Sequence, residues 1–168
     1  MLTQMWYDCS SQVYKRDGYQ TFFFNRSNRR GGRIAIIVNN KIQCDIVPQF
    51  SFICADIECL TLLPKDYVFS VIYRPPECLL DNFLTQLENL LNYVNLNDFK
   101  SALGEDFNID IIKPSPAQSK LLSTIHSTAH NISTKAATRV RAHTEKLPDI
   151  FVTNPPAYSV LSGLLAMA

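Results

Sequence analysis

The sequence lacks the features that mark membrane-spanning, zinc-binding and disulfide-rich proteins. No stretch approaches the roughly 18 consecutive apolar residues of a membrane-spanning helix, and no basic region followed by an apolar run begins the chain. The 5 cysteines form no Cys-x-x-Cys pair and are odd in number, so neither a zinc site nor a disulfide framework is predicted. These absences favour an intracellular, reducing location.

The sequence also has little net charge. At +1 over 168 residues, it has no global basic field of the kind that attracts nucleic acid. The length and the 46% hydrophobic content predict one globular domain over residues 1–168. A local basic group could either contact phosphates or form an ordinary solvated loop. It consists of Arg26, Arg29, Arg30 and Arg33.

Strand patterns dominate the first half of the chain. Residues 19–24 and the β-branched run at 33–38 flank a polar loop that ends in two glycines, which predicts a hairpin. The alternation of Ile42, Cys44 and Ile46 predicts a half-buried strand after it.

Two further β regions precede the first helical pattern. Residues 52–63 predict a long β region. Residues 67–73 form a nearly continuous apolar run, which is typical of a strand buried on both faces. Two prolines end this strand, because proline cannot donate to a central ladder.

Helical periodicity appears only later. Apolar residues recur at helical spacing between residues 83 and 94, with Asp81 placed to cap the helix. Ser115 begins a capping-box pattern with proline at the first helical position, which predicts a second helix. Short strands are predicted at 101–108, 138–141 and 149–153. Together these patterns predict an α/β layered sandwich with mixed or antiparallel sheets.

The stretch from 101 to 110 places an acid and an amide two residues apart at the end of an apolar strand. On a strand, residues i and i+2 share a face, so Asp106 and Asn108 would point one way while Phe107 packs the other. Such a pair can build a site for a metal-bound or phosphate-bound substrate. The alternative is an Asx turn, because Asp and Asn favour hydrogen bonds to their own backbone.

Four sequence motifs, taken in their order along the chain, resemble those of a known protein family. They are the basic, Gly-rich entry into a strand at 29–36, Ser-Val-Ile-Tyr-Arg-Pro-Pro at 70–76, Asp-Phe-Asn-Ile-Asp at 106–110, and Thr-Arg-Val at 138–140 followed by Leu-Pro-Asp-Ile-Phe-Val-Thr-Asn at 147–154. In these, the chain resembles the endonuclease/exonuclease/phosphatase superfamily, and more narrowly the apurinic-endonuclease-like domain of non-LTR (LINE-type) retrotransposons. The resemblance implies two packed mixed β-sheets flanked by helices, and a Mg²⁺-dependent phosphodiesterase.

The resemblance also implies roles for four residues. Asp106 would orient or deprotonate the attacking water, and Asn108 would hold that water and the phosphate. Tyr73 would steady the scissile phosphate, and Asp149 would orient a catalytic histidine. These residue types suit the reaction because in-line attack builds charge on oxygens that a hard cation and fixed donors stabilise.

The sequence departs from the family's pattern in several places. Gln4 aligns with the metal-binding glutamate, and Glu105 takes the place of a glycine that allows close backbone approach. The terminal Ser-Asp-His motif has no match, and His126, His130 and His143 are predicted to be surface residues. The resemblance therefore predicts an incomplete copy of the domain that binds metal poorly and cuts DNA slowly or not at all.

Two functions fit these observations. One is a metal-dependent DNA endonuclease that nicks target DNA to prime reverse transcription, and the other is a non-catalytic transposon remnant with weak DNA binding. DNA is the expected partner, with Arg29, Arg30 and Arg139 as candidate contacts. A reverse-transcriptase domain of the same element is a second expected partner, and neither a membrane nor a small-molecule cofactor is expected. An active element would place the protein in the nucleus.

Overall fold

The computed structural model describes residues 16–25, 33–54, 57–134, 139–141, 144–147 and 149–154. Within these ranges the chain forms eleven strands, two α-helices and a short 3₁₀ helix at Pro48–Phe50. The strands are β1 (Tyr19–Asn25), β2 (Arg33–Asn39), β3 (Asp45–Ile46), β4 (Phe52–Ile53), β5 (Glu58–Leu63), β6 (Tyr67–Tyr73), β7 (Lys100–Asp106), β8 (Asn131–Ile132), β9 (Arg139–Arg141), β10 (Thr144–Lys146) and β11 (Asp149–Thr153). The helices are α1 (Leu80–Leu96) and α2 (Pro116–Ser127).

Seven of these strands form one mixed sheet. Neighbouring strands follow the order β3-β5-β6-β7-β11-β8, and β4 also pairs with β5. The β6 and β7 strands are parallel, because α1 carries the chain back along the sheet between them. The remaining pairs in this sheet are antiparallel.

The β1 and β2 strands form a second, antiparallel sheet that packs on one face of the large one. Ile34 and Ile36 point from β2 into a buried cluster that the large sheet completes. The large sheet contributes Leu60, Leu62, Val71 and Tyr73 to this cluster. The predicted hairpin between residues 19 and 38 is therefore confirmed in its two strands, while its loop at 26–32 lies outside the described residues.

The two helices cover the opposite face of the large sheet. Phe83, Leu87 and Leu91 of α1 are fully buried there, and Ile125 joins them from α2. Each such side chain contributes about 1.5–3 kcal/mol by leaving water. The sheet residues beneath the helices include Val68, Ile72, Leu103, Ile150 and Val152. This arrangement confirms the predicted α/β layered sandwich with mixed sheets flanked by helices.

The helix ends agree with the predictions only in part. Ser115 is the N-cap of α2, and its hydroxyl oxygen accepts a hydrogen bond from the Gln118 N–H at 3.1 Å. The predicted cap of α1 is wrong, because Leu79 occupies the N-cap position without a side-chain cap. Asp81 instead lies in the first turn, where its carboxylate pairs with Lys120 at 2.7 Å and complements the helix dipole.

Several strand predictions also need correction. The predicted alternating strand at 42–46 shortens to β3, and Ile42 and Ile46 are exposed rather than half-buried. The long β region at 52–63 is two strands, β4 and β5, that pair with each other. The predicted strand at 101–108 ends at Asp106, because the backbone turns at Asn108. Neither β8, of 2 residues, nor β10, of 3 residues, was predicted.

The described cysteines are free thiols. Burial raises the pKa of Cys59 to about 12, so its thiol behaves as a small apolar group in β5. In the described part of the chain neither helix is long and apolar enough to cross a membrane.

One histidine prediction is wrong. His126 is exposed as expected, and His143 lies outside the described residues. His130, however, is only 1% exposed, because the turn after α2 folds its ring inward. Its Nδ1 lies 2.7 Å from the Thr128 carbonyl oxygen. Its Nε2 is buried without a hydrogen-bond partner among the described residues.

This burial predicts an acid-sensitive fold. Desolvation lowers the pKa of His130, although the hydrogen bond to the Thr128 carbonyl opposes that shift. Below the ordinary value of 6.5 the unfolded chain binds a proton more readily than the folded chain. We therefore expect the free energy of unfolding to fall as the pH is lowered from 8 through this value, measured by urea denaturation.

The matched variant is His130→Asn, whose amide can still donate to the Thr128 carbonyl but does not titrate. It should lose part of the pH dependence, whatever its absolute stability. An identical pH dependence in the two proteins would contradict the assignment.

Candidate active site

Two aspartates meet where strands β7 and β11 share an edge of the large sheet. The β7 strand ends at Asp106, and the antiparallel β11 strand begins at Asp149, so the register pairs these two residues directly. Residues paired across two strands point to the same face of a sheet, with Cβ atoms about 5 Å apart. Asp106 is only 3% exposed, whereas Asp149 is half-buried.

Tyr73 ends β6 on the other side of Asp106. The parallel register pairs Val71 with Gly104, and the Arg74 N–H donates to the Asp106 carbonyl at 3.0 Å, so the pairing continues to the strand ends. Tyr73 therefore lies beside Asp106. Its ring packs in the cluster between the two sheets, which identifies the face on which the site lies.

Asn108 reaches the same place from a turn rather than from a strand. Its backbone φ is 49°, in the left-handed region that Asn tolerates better than most residues. Its N–H donates to Asp106 Oδ1 at 2.9 Å, which forms the Asx turn considered in the sequence analysis. Its side-chain Nδ2 donates to the Arg74 carbonyl at 2.8 Å.

These two hydrogen bonds exchange the usual roles of backbone and side chain. In a continuing parallel ladder the Arg74 carbonyl would accept from the backbone N–H of residue 108. The turn directs that N–H to the Asp106 carboxylate, and the Asn108 side-chain amide takes its place in the ladder. Asp106 and Asn108 were predicted to share one face of a strand, but a turn at Asn108 brings them together instead. Phe107 is fully buried in the core as predicted.

The four residues predicted from the sequence thus converge on one edge of the large sheet. Tyr73, Asp106 and Asp149 come from three neighbouring strands, and Asn108 is joined to two of these strand ends by hydrogen bonds. Their chemical roles stay predictions.

Sequence reasoning missed Arg74 as part of this site. Only 8% of the residue is exposed. Its Nε donates to the Phe107 carbonyl at 2.6 Å and its Nη2 donates to the Asn108 carbonyl at 2.9 Å. The sequence offers one clue, an arginine directly after an apolar strand and before two prolines, where a charge must find partners if it is buried.

Glu58 was also missed. It is fully buried in β5, and the register pairs it with Tyr73, so it extends the row of polar residues to a fourth strand on the same face. The clue in the sequence is a lone charged residue between Ile57 and Cys59 in a mostly apolar strand.

Asp110 joins the turn to the segment before β11. Its Oδ1 accepts hydrogen bonds from the N–H groups of Ile112 at 3.1 Å and Leu147 at 3.2 Å. The Leu147 contact spans 37 residues of sequence and lies two residues before Asp149. The last acid of the Asp-Phe-Asn-Ile-Asp stretch therefore ties together the two segments that carry the paired aspartates.

Other predicted site residues cannot be placed in the same detail. Gln4, Arg29 and Arg30 lie outside the described residues. Arg139 begins β9, where the register pairs it with Lys146 of β10. Glu105 belongs to β7 and pairs with Ile150, so the strand pairing is not interrupted at this departure from the family's pattern.

The described residues supply a pair of carboxylates for a metal ion rather than a larger group of ligands. Within the described ranges, no three His, Cys, Asp or Glu side chains come together in a group that could hold one. The strand edge offers the paired carboxylates of Asp106 and Asp149. Such a pair suits a Mg²⁺ ion that keeps several of its waters, since Mg²⁺ is commonly bound through one or two carboxylates.

The fold of the described residues is similar to that of several solved structures. No protein-family model matches the chain, and no curated protein matches it. An endonuclease/exonuclease/phosphatase family protein from Bacteroides thetaiotaomicron matches with a TM-score of 0.55 at 15% identity. One from Leptotrichia buccalis C-1013-b matches with a TM-score of 0.51 at 17% identity. The chain therefore has the endonuclease/exonuclease/phosphatase fold, as the resemblance implied.

A retrotransposon domain is among the structures with this fold. The endonuclease domain of TRAS1, a telomere-specific non-LTR retrotransposon, matches with a TM-score of 0.64 at 13% identity. Each of the three matches covers 83% of this chain, but the chain spans only 67% of the TRAS1 domain and 60% of the two bacterial proteins. Identities this low establish the fold and not the activity.

The turn at Asn108 predicts a specific order of stabilities. Asn108→Ala should lower the free energy of unfolding by about 2 kcal/mol, because it loses the bond to the Arg74 carbonyl and forces alanine into the left-handed region. Asn108→Gly should cost less, about 1 kcal/mol, because glycine adopts that backbone freely. Urea denaturation of the two variants checks this order, and an alanine variant as stable as the glycine variant would contradict it.

Proposed function

We propose that this chain is a metal-dependent DNA endonuclease domain of a retrotransposon, which hydrolyses a phosphodiester bond of target DNA to prime reverse transcription. The observation that carries the proposal is the convergence of Tyr73, Asp106, Asn108 and Asp149 at one edge of the large sheet. The similar fold of an endonuclease domain from a non-LTR retrotransposon supports it.

Asp106 has the geometry expected of a group that orients an attacking water. The Asn108 N–H donates to Oδ1 at 2.9 Å, which restrains the rotation of the carboxylate. A carboxylate fixed in this way can accept a proton from water without first reorganising, and preorganisation of this kind is a major source of catalysis.

The Asn108 amide can serve the turn and the substrate at once. A side-chain amide has two N–H donors, and one of them bonds the Arg74 carbonyl. In the proposed reaction the other N–H donates to a phosphate oxygen. Tyr73 would donate its hydroxyl to the same phosphate. The family's histidine that Asp149 would orient has no match in the sequence, so the leaving oxygen would take its proton from solvent water.

Mg²⁺ is the cofactor that the resemblance implies. Asp106 and Asp149 are the described carboxylates that would hold it through its coordinated waters, which leaves Asp106 able to accept a proton from one of them. The ion would supply positive charge next to the scissile phosphate. The position of the family's metal-binding glutamate belongs to Gln4, a neutral residue. We therefore propose weak metal binding and slow cleavage, about 10² to 10³ below a complete site.

The wider assignments are proposals as well. DNA would be bound by basic residues, of which Arg139 lies in β9 and Arg29 and Arg30 precede β2. A reverse-transcriptase domain of the same element would extend the nick, and this reaction would take place in the nucleus.

A plasmid-nicking assay tests the proposal. The protein should convert supercoiled DNA to the open-circular form in the presence of Mg²⁺, and removal of the metal with EDTA should stop the reaction. Asp106→Ala should lower the rate by about 10² or more, because it removes the group that orients water.

Asp66→Ala is the matched control. It makes the same change on an exposed residue at the other end of β6, about 20 Å from the site, and should leave the rate unchanged. If nicking is absent, or is equal in wild type and Asp106→Ala, the chain is not an active nuclease. Retained DNA binding in that case would favour the non-catalytic remnant.

A further inference from the structure

Arg74 makes an unusual set of contacts, although the family resemblance implies no catalytic role for it. Its guanidinium spans two consecutive carbonyls, with Nε 2.6 Å from the Phe107 oxygen and Nη2 2.9 Å from the Asn108 oxygen. Its backbone N–H donates to the Asp106 carbonyl at 3.0 Å, and its own carbonyl accepts from the Asn108 side chain at 2.8 Å. These four hydrogen bonds reach every residue of the turn from Asp106 to Asn108.

The contacts require arginine rather than a general positive charge. A guanidinium has five N–H donors in a rigid plane, whereas a lysine ammonium is a point charge that cannot span two carbonyls in a fixed geometry. The remaining edge of the guanidinium donates from Nη1 to Cys78 Sγ at 3.3 Å. Its Cζ atom lies 5.9 Å from the centre of the Phe83 ring, within the range of a cation–π contact.

These contacts fix the part of the chain that carries the two polar groups of the turn. The left-handed backbone at Asn108 directs its N–H to Asp106 Oδ1, and the carbonyls on either side of that conformation are the two that Arg74 holds. Without the guanidinium, the buried Phe107 carbonyl and the partly buried Asn108 carbonyl would lose their donors, and the turn could relax toward conformations that satisfy them elsewhere. The Asp106 carboxylate would then lose its fixed orientation.

We propose that Arg74 is a positioning residue, which acts through the Asp106–Asn108 turn to hold the Asp106 carboxylate and the Asn108 amide in their reactive orientation. The inference rests on the proposed function for its catalytic consequence, while its structural part concerns only this turn. Arg74 itself does not contact the substrate in this proposal, because its donors are directed to the two carbonyls and to Cys78.

The test uses the full chain with Arg74→Lys, which keeps the charge, and Arg74→Ala, which leaves a space for a small cation. Arg16→Lys is the matched control, because it makes the same change on an exposed residue that stacks on Tyr19. Cys78→Ala removes the sulfur contact of Arg74 but leaves both carbonyl contacts in place, and it should nick DNA at the wild-type rate.

Two measurements are made on each protein. The first is single-turnover nicking with Mg²⁺, together with DNA affinity. Arg74→Lys should cut about 10- to 100-fold more slowly with unchanged affinity for DNA, since small misplacements of catalytic groups cost rate rather than binding. Guanidinium or methylguanidinium added to Arg74→Ala should restore part of the rate and have no effect on wild type.

The second measurement does not depend on activity. In NMR spectra of ¹⁵N-labelled protein, the backbone N–H and side-chain amide of Asn108 should lose protection from hydrogen exchange in both Arg74 variants. The amides of β5 and α1 should keep theirs, which separates a local change in the turn from a loss of the whole fold. If Arg74→Ala does not fold, Arg74→Lys alone carries both measurements.

The outcomes distinguish this inference from the proposed function. If wild type does not nick DNA, the proposed function fails, and the exchange of the Asn108 amides still decides whether Arg74 holds the turn. Unchanged Asn108 exchange in a folded Arg74→Lys protein overturns the inference whether or not DNA is cut. Wild-type nicking by Arg74→Lys overturns it as well, as does a rate loss in Arg74→Ala that guanidinium does not restore.

Discussion

The ends of β6 and β7 are joined by hydrogen bonds between Arg74 and the three residues Asp106, Phe107 and Asn108. Hydrogen bonds from a charged donor contribute about 1.5–3 kcal/mol each, and a buried carbonyl left without a donor costs a similar amount. These bonds extend the pairing of β6 and β7 beyond the last residues of the two strands. Beyond the strand ends, the side chains of Arg74 and Asn108 make the hydrogen bonds that backbone groups would make in a continuing ladder. These bonds hold the polar residues at this edge in place.

The two covered faces of the large sheet determine which side chains can form the site. Along β6, Ile72 points to the helices while Val71 and Tyr73 point into the cluster beneath the second sheet. A shift in pairing by one residue would exchange these faces and bury Tyr73 under the helices. Because both faces are packed, the register is strongly specified, and the row from Glu58 to Asp149 follows from it.

The sequence was informative where a local pattern and burial agree. The apolar run of β6, the periodic apolar residues of α1 and the Ser115 cap were each predicted and are present. The convergence of Tyr73, Asp106, Asn108 and Asp149 was also expected, but only from the order of motifs, because no local pattern shows which strands become neighbours.

The failures have a common physical cause, which is that tertiary contacts decided the outcome. Histidine is a polar residue and was expected at the surface, but the turn after α2 buries His130. Asp81 is a good capping residue, yet the helix begins two residues earlier than a cap at Asp81 would place it, and the carboxylate pairs with Lys120 from α2. The buried guanidinium of Arg74 is satisfied by the carbonyls of Phe107 and Asn108, which lie more than thirty residues away in the sequence. Local sequence patterns cannot predict partners at that distance.

The strand order has a consequence for how the sheet assembles. In the described part of the sheet, β8 has β11 as its strand partner, and β11 lies between β7 and β8 although it follows both in the chain. Therefore β11 must pair with β7 before β8 can join the sheet. Contacts between distant segments form slowly because the intervening loop must close first. We therefore expect Asp106 and Asp149 to pair late in folding, after the helices and the β5–β6 hairpin have formed.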